Sequence, residues 1–365
     1  MSKDINMELN IREMQPEEAK SLQSLGSKIF LRSMEAPFVP KPKKAHVAVC
    51  DGKIVGGFCY SFEKCGEKKL GFVDYFFVDP AYAGQGIGRA LSQGGIAYLW
   101  EQGCDYLASV VRDDNVGSWS AFEKTGFIRA SLPKVAGSLG LGGFIKTYIK
   151  HFYGFSPGCD FYFAIRPDDN SVPLLAYAKR TGFGQILLHP LTNTLLALIP
   201  FLIGLITFTT DPSNLPMLVL RFLIVFGGVI FFSYIPTLLS GRKWHYRMPT
   251  GGLLLASIFS IFGLFMPMAG NWYPDRYENT QAFRRDMGIS ALMSWAYLLG
   301  ILIAARLFDG VRPFIATGVI GVLLIFRCIP FPVINLGSVR VFRWNKFLCV
   351  LLALASIFTV FFWAV

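Results

Sequence analysis

The stretch VDPAYAGQGIGRAL, residues 78–91, decides the fold of the N-terminal half of the chain. Its glycines at 84, 86 and 88 lie between KLGFVDYFFVDP, whose aromatic and β-branched residues favour a strand, and IGRALSQGGIAYLWEQG, whose apolar spacing favours a helix. Backbone N–H groups of such a loop can approach an anion closely, and the N-terminus of the helix adds partial positive charge. The stretch therefore predicts an anion-binding loop.

The glycine spacing limits which anion the loop can bind. A dinucleotide fingerprint G-x-G-x-x-G needs glycine at position 89 or 91, where the chain has Arg89 and Leu91. No G-K-[ST] follows, so a nucleoside triphosphate loop is not predicted either. Taken alone, a G-x-G-x-G loop is also compatible with a simple tight turn.

A second motif, NVGSWSAFEKTGF at 115–127, follows the predicted strand CDYLASVVRDD, and Asn115 can cap a short helix that ends at Gly126. The combination of V-x-P-x-x-x-G-x-G-I-G-R-A-L with N-x-x-S-x-x-A-F-E-K-x-G-F resembles the GNAT acyltransferase family. The resemblance covers residues 8–168. It implies an α/β GNAT fold, a mixed splayed sheet with flanking helices.

The resemblance also implies a co-substrate, acetyl-CoA or another acyl-CoA, and a set of binding residues. The CoA pyrophosphate would lie on the backbone amides of the loop, the backbone of Phe77 and Val78 would pair with the pantetheine arm, and Asn115 would line that arm. The implied cofactor-binding residues are Phe77, Val78, Ala83, Gly84, Gln85, Gly86, Ile87, Gly88, Arg89, Asn115 and Phe122.

Two of these positions depart from the family pattern. Ala83 stands where the loop usually begins with Arg or Gln, and Arg89 is close enough in sequence to substitute for it. Phe122 stands where many members carry a tyrosine that protonates the departing thiolate. Asp74 is the best-placed carboxylate for a general base, with a capped or salt-bridged surface Asp as the alternative.

The C-terminal half predicts an all-α transmembrane helix bundle. Apolar stretches long enough to cross about 30 Å of hydrocarbon occur at 189–208, 216–239, 251–270, 288–307, 313–335 and 346–365. We therefore expect three parts: an acyl-CoA-binding domain at 1–168, a linker and amphipathic lead-in at 169–188, and a membrane domain of about six spans at 189–365.

Charge and termini predict the orientation. Residues 169–365 carry 15 Lys+Arg and 6 Asp+Glu, and the basic residues of SGRKWHYRMPT fit a cytoplasmic loop. The polar start MSKDINMELN resembles no secretory signal, so we expect the N-terminal domain on the cytoplasmic side of a multi-pass membrane protein.

A long insertion, ASLPKVAGSLGLGGFIKTYIKHFYGFSPG, precedes the last predicted strand. Its apolar face combines Phe144, Ile145, Tyr148, Ile149, Phe152 and Tyr153, opposite Lys146, Thr147 and Lys150. This pattern is typical of an interfacial helix, and packing on the chain's own domains is the alternative.

The main hypothesis is an acyl-CoA-dependent N-acyltransferase whose amine acceptor, a lipid or a lipid-linked amino sugar, is presented at the membrane. The alternative is a membrane transporter or assembly protein whose acyl-CoA-binding domain is regulatory. We expect acyl-CoA, membrane lipids and an unidentified amine as partners, with a homo-oligomer possible. We expect no nucleic acid, because no basic stripe interleaved with aromatic residues occurs in the polar half. We expect no metal, because the cysteines and histidines show no ligand spacing.

Overall fold

The computed structural model describes residues 8–33, 39–112, 115–130, 132–151, 159–165, 183–207, 209, 211–274, 278, 280–328 and 337–362. These residues divide into two compact units. The first contains those within Met1–Val111, Gly117–Gly154 and Asp160–Tyr177, and the second those within Arg112–Val116, Phe155–Cys159 and Ala178–Val365. The domain limits 1–168, 169–188 and 189–365 stay a prediction.

The first unit is built on a mixed sheet. Its strands in the described chain are β1 (Leu9–Glu13), β2 (Ala45–Cys50), β3 (Lys53–Cys65), β4 (Lys68–Val78), β5 (Tyr106–Arg112), β6 (Ile128–Ala130) and β7 (Cys159–Ile165). Their order in the sheet is β1-β2-β3-β4-β5-β7-β6. Strands β1 to β4 pair antiparallel, β4 and β5 pair parallel, and β6 and β7 pair antiparallel.

Helices flank this sheet: α1 (Ala19–Ser33), α2 (Ile87–Glu101), α3 (Val116–Lys124) and α4 (Leu132–Lys150). Gly95 lets α2 approach the sheet closely, since a Cβ at this position would lie 2.3 Å from Cδ1 of Phe58 on β3. Glycine weakens a helix, but here it permits the packing of helix on sheet. The predicted fold of the N-terminal region is confirmed.

The pairing of β4 changes at Asp74. Val73 lies opposite Tyr60 of β3 and Tyr75 lies opposite Cys59, so Asp74 is the extra residue of a β-bulge. On the other side, β4 pairs with β5 only from Leu70 to Val73. The two parallel strands therefore stop pairing at the residue where the bulge begins, which gives the sheet its splayed shape.

Helix α4 corrects the predicted division of the insertion into an apolar and a polar face. Phe144 and Tyr148 are buried, and so is Thr147, which was expected on the polar face. The hydroxyl of Thr147 lies 3.9 Å from Sγ of Cys65 at the end of β3. The prediction was wrong for Thr147, because packing on β3 buries it. The burial of Phe144 and Tyr148 fits the alternative in which the helix packs on the chain's own domain. Phe152 and Tyr153 lie outside the described residues.

The second unit is mainly helical. It contains α5 (Phe183–Ile206), α6 (Leu215–Leu238), β8 (Trp244–Arg247), α7 (Leu253–Ile261), β9 (Asn271–Pro274), α8 (Gln281–Leu307), α9 (Thr317–Cys328), α10 (Ser338–Trp344) and α11 (Lys346–Phe362). Three helices of the described chain are long and apolar enough to cross a membrane, at Gly184–Ile206, Pro212–Leu238 and Gln281–Leu307. The first begins inside the predicted lead-in.

Six complete spans are not found in the described residues. The predicted span 251–270 is wrong, because α7 has 9 residues and is about 14 Å long, half the hydrocarbon thickness. Gly263 at φ +77° follows it, and the amide of Met268 donates to Oδ1 of Asn193 on α5, 2.8 Å away. The apolar segment after α7 is thus held by α5. Helices α9 and α11, within the predicted spans 313–335 and 346–365, have 12 and 17 residues.

The helices of the second unit are apolar on their outer surfaces as well as inside. Val225, Phe226 and Val229 of α6 pack against Leu298 of α8 in the core. Large apolar side chains are also exposed on α5, α6 and α11, among them Leu191, Leu195, Leu202, Leu223, Phe231, Leu238, Phe347, Leu354 and Phe358. Exposed apolar surface on this scale is typical of helices that face lipid.

Candidate active site

The glycine loop joins β4 to α2 through a tight turn. The carboxylate of Asp79 accepts a hydrogen bond from the amide of Ala81, 3.0 Å away, which begins a 3-10 turn at Pro80–Tyr82. Gly84 and Gly86 then adopt φ of +82° and +78°. A Cβ at either glycine would meet nothing within 4 Å, so glycine is needed here for backbone conformation and not for space.

Helix α2 begins directly after this turn, and its first amides face away from the helix body. The amide of Ala90 donates to the carbonyl of Gly86, 3.0 Å away, so the amides of residues 87–89 precede the repeating helical hydrogen bonds. Ile87 is buried, which anchors the first turn, whereas the other loop residues are open to solvent. Those exposed are Ala83, Gly84, Gln85, Gly86 and Arg89, and Gly88 is half-buried. An anionic ligand can therefore reach this end of the helix.

The last residues of β4 lead into the glycine loop, and the side chain of Phe77 packs against α1. The buried ring of Phe77 packs in a cluster with Leu22 and Phe30 of α1. Val78 is half-buried. Among the described strand pairs, β5 contacts β4 no further than Val73. The backbone of Phe77 and Val78 on the β5 side is thus the part of β4 that an extended ligand can pair with.

Phe122 and Asn115 come from α3 and the residue before it. The Phe122 ring is buried, with its centre 4.9 Å from that of Phe127 and 6.5 Å from that of Phe76. The ring is part of an aromatic core. Asn115 directly precedes α3, and its amide donates to the carbonyl of Arg112, 3.0 Å away.

Asp74 belongs to a charged group that we call the histidine cluster: Glu63, Asp74 and His151. Nδ1 of His151 lies 3.1 Å from Oδ1 of Asp74, and Nε2 lies 3.4 Å from Oε1 of Glu63. The His151 ring stacks on Phe72 with 3.5 Å between the ring centres. Lys150 forms a second ion pair with Glu63. The bulge of β4 and the C-terminal end of α4 therefore hold an imidazole between two carboxylates.

Burial and ion pairing shift the pKa values of His151 and Glu63 in opposite directions. Burial disfavours the imidazolium, but its interactions with Asp74 and Glu63 outweigh burial and raise the pKa of His151 above its ordinary value. Burial likewise disfavours the Glu63 carboxylate, but His151 and Lys150 outweigh that effect and lower the pKa of Glu63. The cluster thus favours a charged histidine next to an ionised Glu63.

The sequence indicated Asp74 but not the other two members of the cluster. The histidines are scattered singly along the chain, and His151 lies in the insertion, far in sequence from β3 and β4. The available signal was the end of the amphipathic stretch, where Lys150 and His151 follow each other. The carboxylate of Asp74 contacts His151, and both roles predicted for Asp74, general base and salt-bridged residue, stay predictions.

A protein-family model matches the part of the chain that contains the glycine loop and Asp74. The sequence model of a family described as "Acetyltransferase (GNAT) family" matches residues 10–127. The chain is similar to a mycothiol acetyltransferase of Salinispora tropica, 37% identical over 70 residues that span 19% of this chain and 23% of that protein. A mycothiol acetyltransferase of Amycolatopsis mediterranei is 38% identical over 64 residues, 18% of this chain and 21% of that protein. The chain thus spans less than a quarter of the length of these relatives.

Among solved structures, the crystal structure of the ribosomal-protein-S18-alanine N-acetyltransferase from Escherichia coli aligns with 45% of this chain and 99% of that one. The identity is 16% and the TM-score is 0.31.

The histidine cluster predicts a pH-dependent stability. A histidine with a raised folded pKa stabilises the fold fully below its unfolded pKa of about 6.5, and this contribution is lost as pH rises through the folded pKa. Glu63, with a lowered pKa, contributes above its unfolded value of about 4.3, so its contribution stays constant near neutral pH. We expect the Tm of the full chain to fall more steeply as pH rises above about 6.5 than that of His151→Phe, which keeps the ring on Phe72. Parallel Tm curves would contradict the paired imidazolium.

Proposed function

We propose that the first unit, which carries an acetyltransferase (GNAT) family domain over residues 10–127, transfers the acyl group of an acyl-CoA, with acetyl-CoA as the donor, to an amine acceptor presented at the membrane. One observation carries the proposal. The part of β4 that lies beyond its pairing with the described residues of β5 runs from Asp74, held by His151, to the exposed loop that precedes α2.

This arrangement supports binding of CoA in three parts. The pyrophosphate would accept hydrogen bonds from the amides of residues 84–89, and the partial charge of the α2 N-terminus favours it. The pantetheine arm carries amides that would pair with the backbone of Phe77 and Val78 as an added strand would. Arg89, exposed on the first turn of α2, would supply the positive charge that Ala83 lacks.

The reaction would be attack by a neutral amine on the thioester carbon. A C–N bond forms, the C–S bond breaks, the proton leaves the amine nitrogen for a base, and the CoA thiolate takes a proton from solvent. Holding the two reactants in the reactive orientation lowers the activation free energy by up to about 7–11 kcal/mol in well-oriented cases. A thiol with a pKa near 8.5 leaves readily as thiolate, which fits Phe122 in place of an acid.

Asp74 is the base that the geometry supports. It lies at the bulge where β4 and β5 stop pairing, and its side chain is partly exposed, whereas Glu63 is buried. His151 contacts Oδ1 of Asp74, so it acts as a positioning residue that fixes the carboxylate. A fixed carboxylate next to an open strand edge is suited to accept the proton of the acceptor amine.

Two observations, one in each unit, support the proposal that the acceptor is presented at the membrane. The second unit has helices long enough to cross a membrane. On α4, Leu141, Ile145 and Ile149 recur at intervals of four residues and are exposed, which forms an apolar row along one side of the helix. Such a row on a helix that carries lysines suits a bilayer surface. We propose the cytoplasmic side for the first unit, where acyl-CoA is made.

Gly86→Ala tests the loop. The methyl group puts an L-residue at φ +78°, a strain of about 1–2 kcal/mol, so we expect CoA to bind about 5- to 30-fold more weakly by calorimetry. Gly66→Ala is the matched control, because Gly66 also has a positive φ and open surroundings but lies in the turn at the other end of β4. Equal affinity in both variants would refute the loop assignment.

Asp74→Asn tests the chemistry. The full chain, given labelled acetyl-CoA and a total membrane lipid extract, should release CoA and form a labelled lipid-soluble product. The variant should lower kcat by roughly 100-fold or more, the contribution of a general base, with the Kd for CoA unchanged. Binding of acetyl-CoA and longer acyl-CoAs without turnover in the unsubstituted chain would instead favour a regulatory domain.

A further inference from the structure

The segment between α6 and α8 begins and ends on one side of the second unit. Oγ of Ser290 on α8 donates to the carbonyl of Ser233 on α6, 2.8 Å away. Oη of Tyr297 donates to the carbonyl of Ile224, also 2.8 Å away. The contacts advance along α8 as they go back along α6, so the two helices are antiparallel. Both are long and apolar enough to cross a membrane, and residues 239–280 therefore connect them on one side.

Within this connection, residues 248–270 leave the β8–β9 hairpin and return to it. The two strands pair antiparallel, with Arg247 opposite Asn271, so the two ends of the segment are neighbours. The indole of Trp272 on β9 donates to the carbonyl of Ile230, 3.0 Å away. Ile230 lies about 12 Å along α6 from its C-terminal end. The base of the segment thus lies inside the helical bundle.

From this base the segment goes deeper. The ring of Phe265 meets that of Phe222 on α6 edge to face, with the ring centres 5.2 Å apart. Phe222 lies about 24 Å from the C-terminal end of α6, past the middle of a helix about 36 Å long. On the other side, Leu196 packs with Ala256 of α7 and with Met268, about 20 Å from the start of α5. The segment therefore passes the middle of the bundle before it returns.

The returning arm is not helical, and α5 satisfies its backbone. The amide of Met268 donates to Oδ1 of Asn193, 2.8 Å away, and its carbonyl lies 2.9 Å from Nε2 of His189. A carbonyl can only accept, so Nε2 carries the proton and Nδ1 accepts from Oη of Tyr246, 2.6 Å away. A Cβ on Gly270 would lie 2.2 Å from that Oη, so glycine permits the close approach. Extended backbone at membrane depth needs such internal partners.

The turn that ends α7 satisfies its own amides. Those of Phe262, Gly263 and Leu264 donate to carbonyls in the last turns of α7, 2.9 to 3.3 Å away. Large apolar side chains are exposed at this turn, which we call the tip: Ile258, Ile261, Phe262 and Leu264. Residues 248–270 contain no charged residue. A turn with paired amides and exposed apolar side chains is suited to hydrocarbon.

We propose that residues 248–270 form a re-entrant hairpin, which enters the bilayer from one face, passes its middle and returns to the same face. The tip contacts the acyl chains of membrane lipids. The connection 239–280 carries Arg242, Lys243, Arg247 and Arg276, whereas residues 207–214, at the other end of α5 and α6, carry no Lys or Arg. Basic connections face the cytoplasm, so the hairpin opens to the cytoplasmic side. The inference does not depend on acyl transfer.

Single cysteines in the full chain, in sealed vesicles of known orientation, test the path with a membrane-impermeant maleimide. Lys243→Cys and Gln281→Cys flank the hairpin, and Ser213→Cys lies between α5 and α6; the native residues are all exposed. We expect the first two to react from the cytoplasmic face and the third only from the opposite face. The unsubstituted chain supplies the background of the native cysteines. Reaction of Lys243→Cys and Gln281→Cys from opposite faces would show a crossing segment, and reaction of both from the outer face would exclude a cytoplasmic opening; either result would overturn the proposal.

Phe262→Cys tests the tip. We expect it to react with the impermeant maleimide at least about tenfold more slowly than Lys243→Cys, because water is excluded from hydrocarbon. Labelled with membrane-permeant bimane, it should lose fluorescence when the lipids carry a doxyl group in the middle of the acyl chain, whereas bimane on Gln281→Cys should lose little. Equal maleimide rates would indicate a solvated loop, and protection without doxyl quenching would indicate a protein cover, so either would contradict contact with lipid.

Gly270→Ala tests the attachment of the returning arm to α5. The added methyl group overlaps Oη of Tyr246, so we expect a lower Tm of the full chain in detergent. Gly227→Ala is the matched control in the same unit, because a Cβ on Gly227 in α6 would meet nothing within 4 Å. It should leave the Tm unchanged or raise it, since alanine favours a helix. The same Tm in both variants would show that the arm is not held at this point and would contradict the hairpin.

Discussion

The first unit depends on the point at which β4 and β5 stop pairing. Up to Val73 the two strands form an ordinary parallel ladder, and at Asp74 a bulge on the β3 side shifts the register. Beyond Val73, none of the described residues of β5 pairs with the backbone between Asp74 and Val78. The glycine loop continues from this edge, and the α2 N-terminus closes its far end. A strand edge, a glycine loop and a carboxylate thus follow one another along β4 and its continuation.

The first unit buries a group of paired charges. His151 lies between two carboxylates, and Lys150 pairs with one of them, so the charges balance and the contacts fix α4 to β3 and β4.

Local sequence patterns were sufficient to predict some features of the structure and not others. The order of strand, glycine loop and helix at 78–91 depends on neighbouring residues, so the sequence predicted it. The His151 contacts join an insertion to two earlier strands, and no local pattern carries that information. Apolar content alone suggested a span at 251–270, but Gly263 and the contact of Met268 with α5 end the helix early. The helical period of α4 predicted its amphipathic character, while packing on Cys65 decided which face is buried.

Hydrogen exchange of the full chain in lipid, with and without acetyl-CoA, tests the central claim most directly. If the open edge of β4 and the loop hold the co-substrate, acetyl-CoA should slow exchange at the amides of Phe77 and Val78 and of residues 84–89, while the turn at Gly66 stays unchanged. Unaltered exchange at these amides under saturating acetyl-CoA, or protection confined to other parts of the chain, would contradict the account.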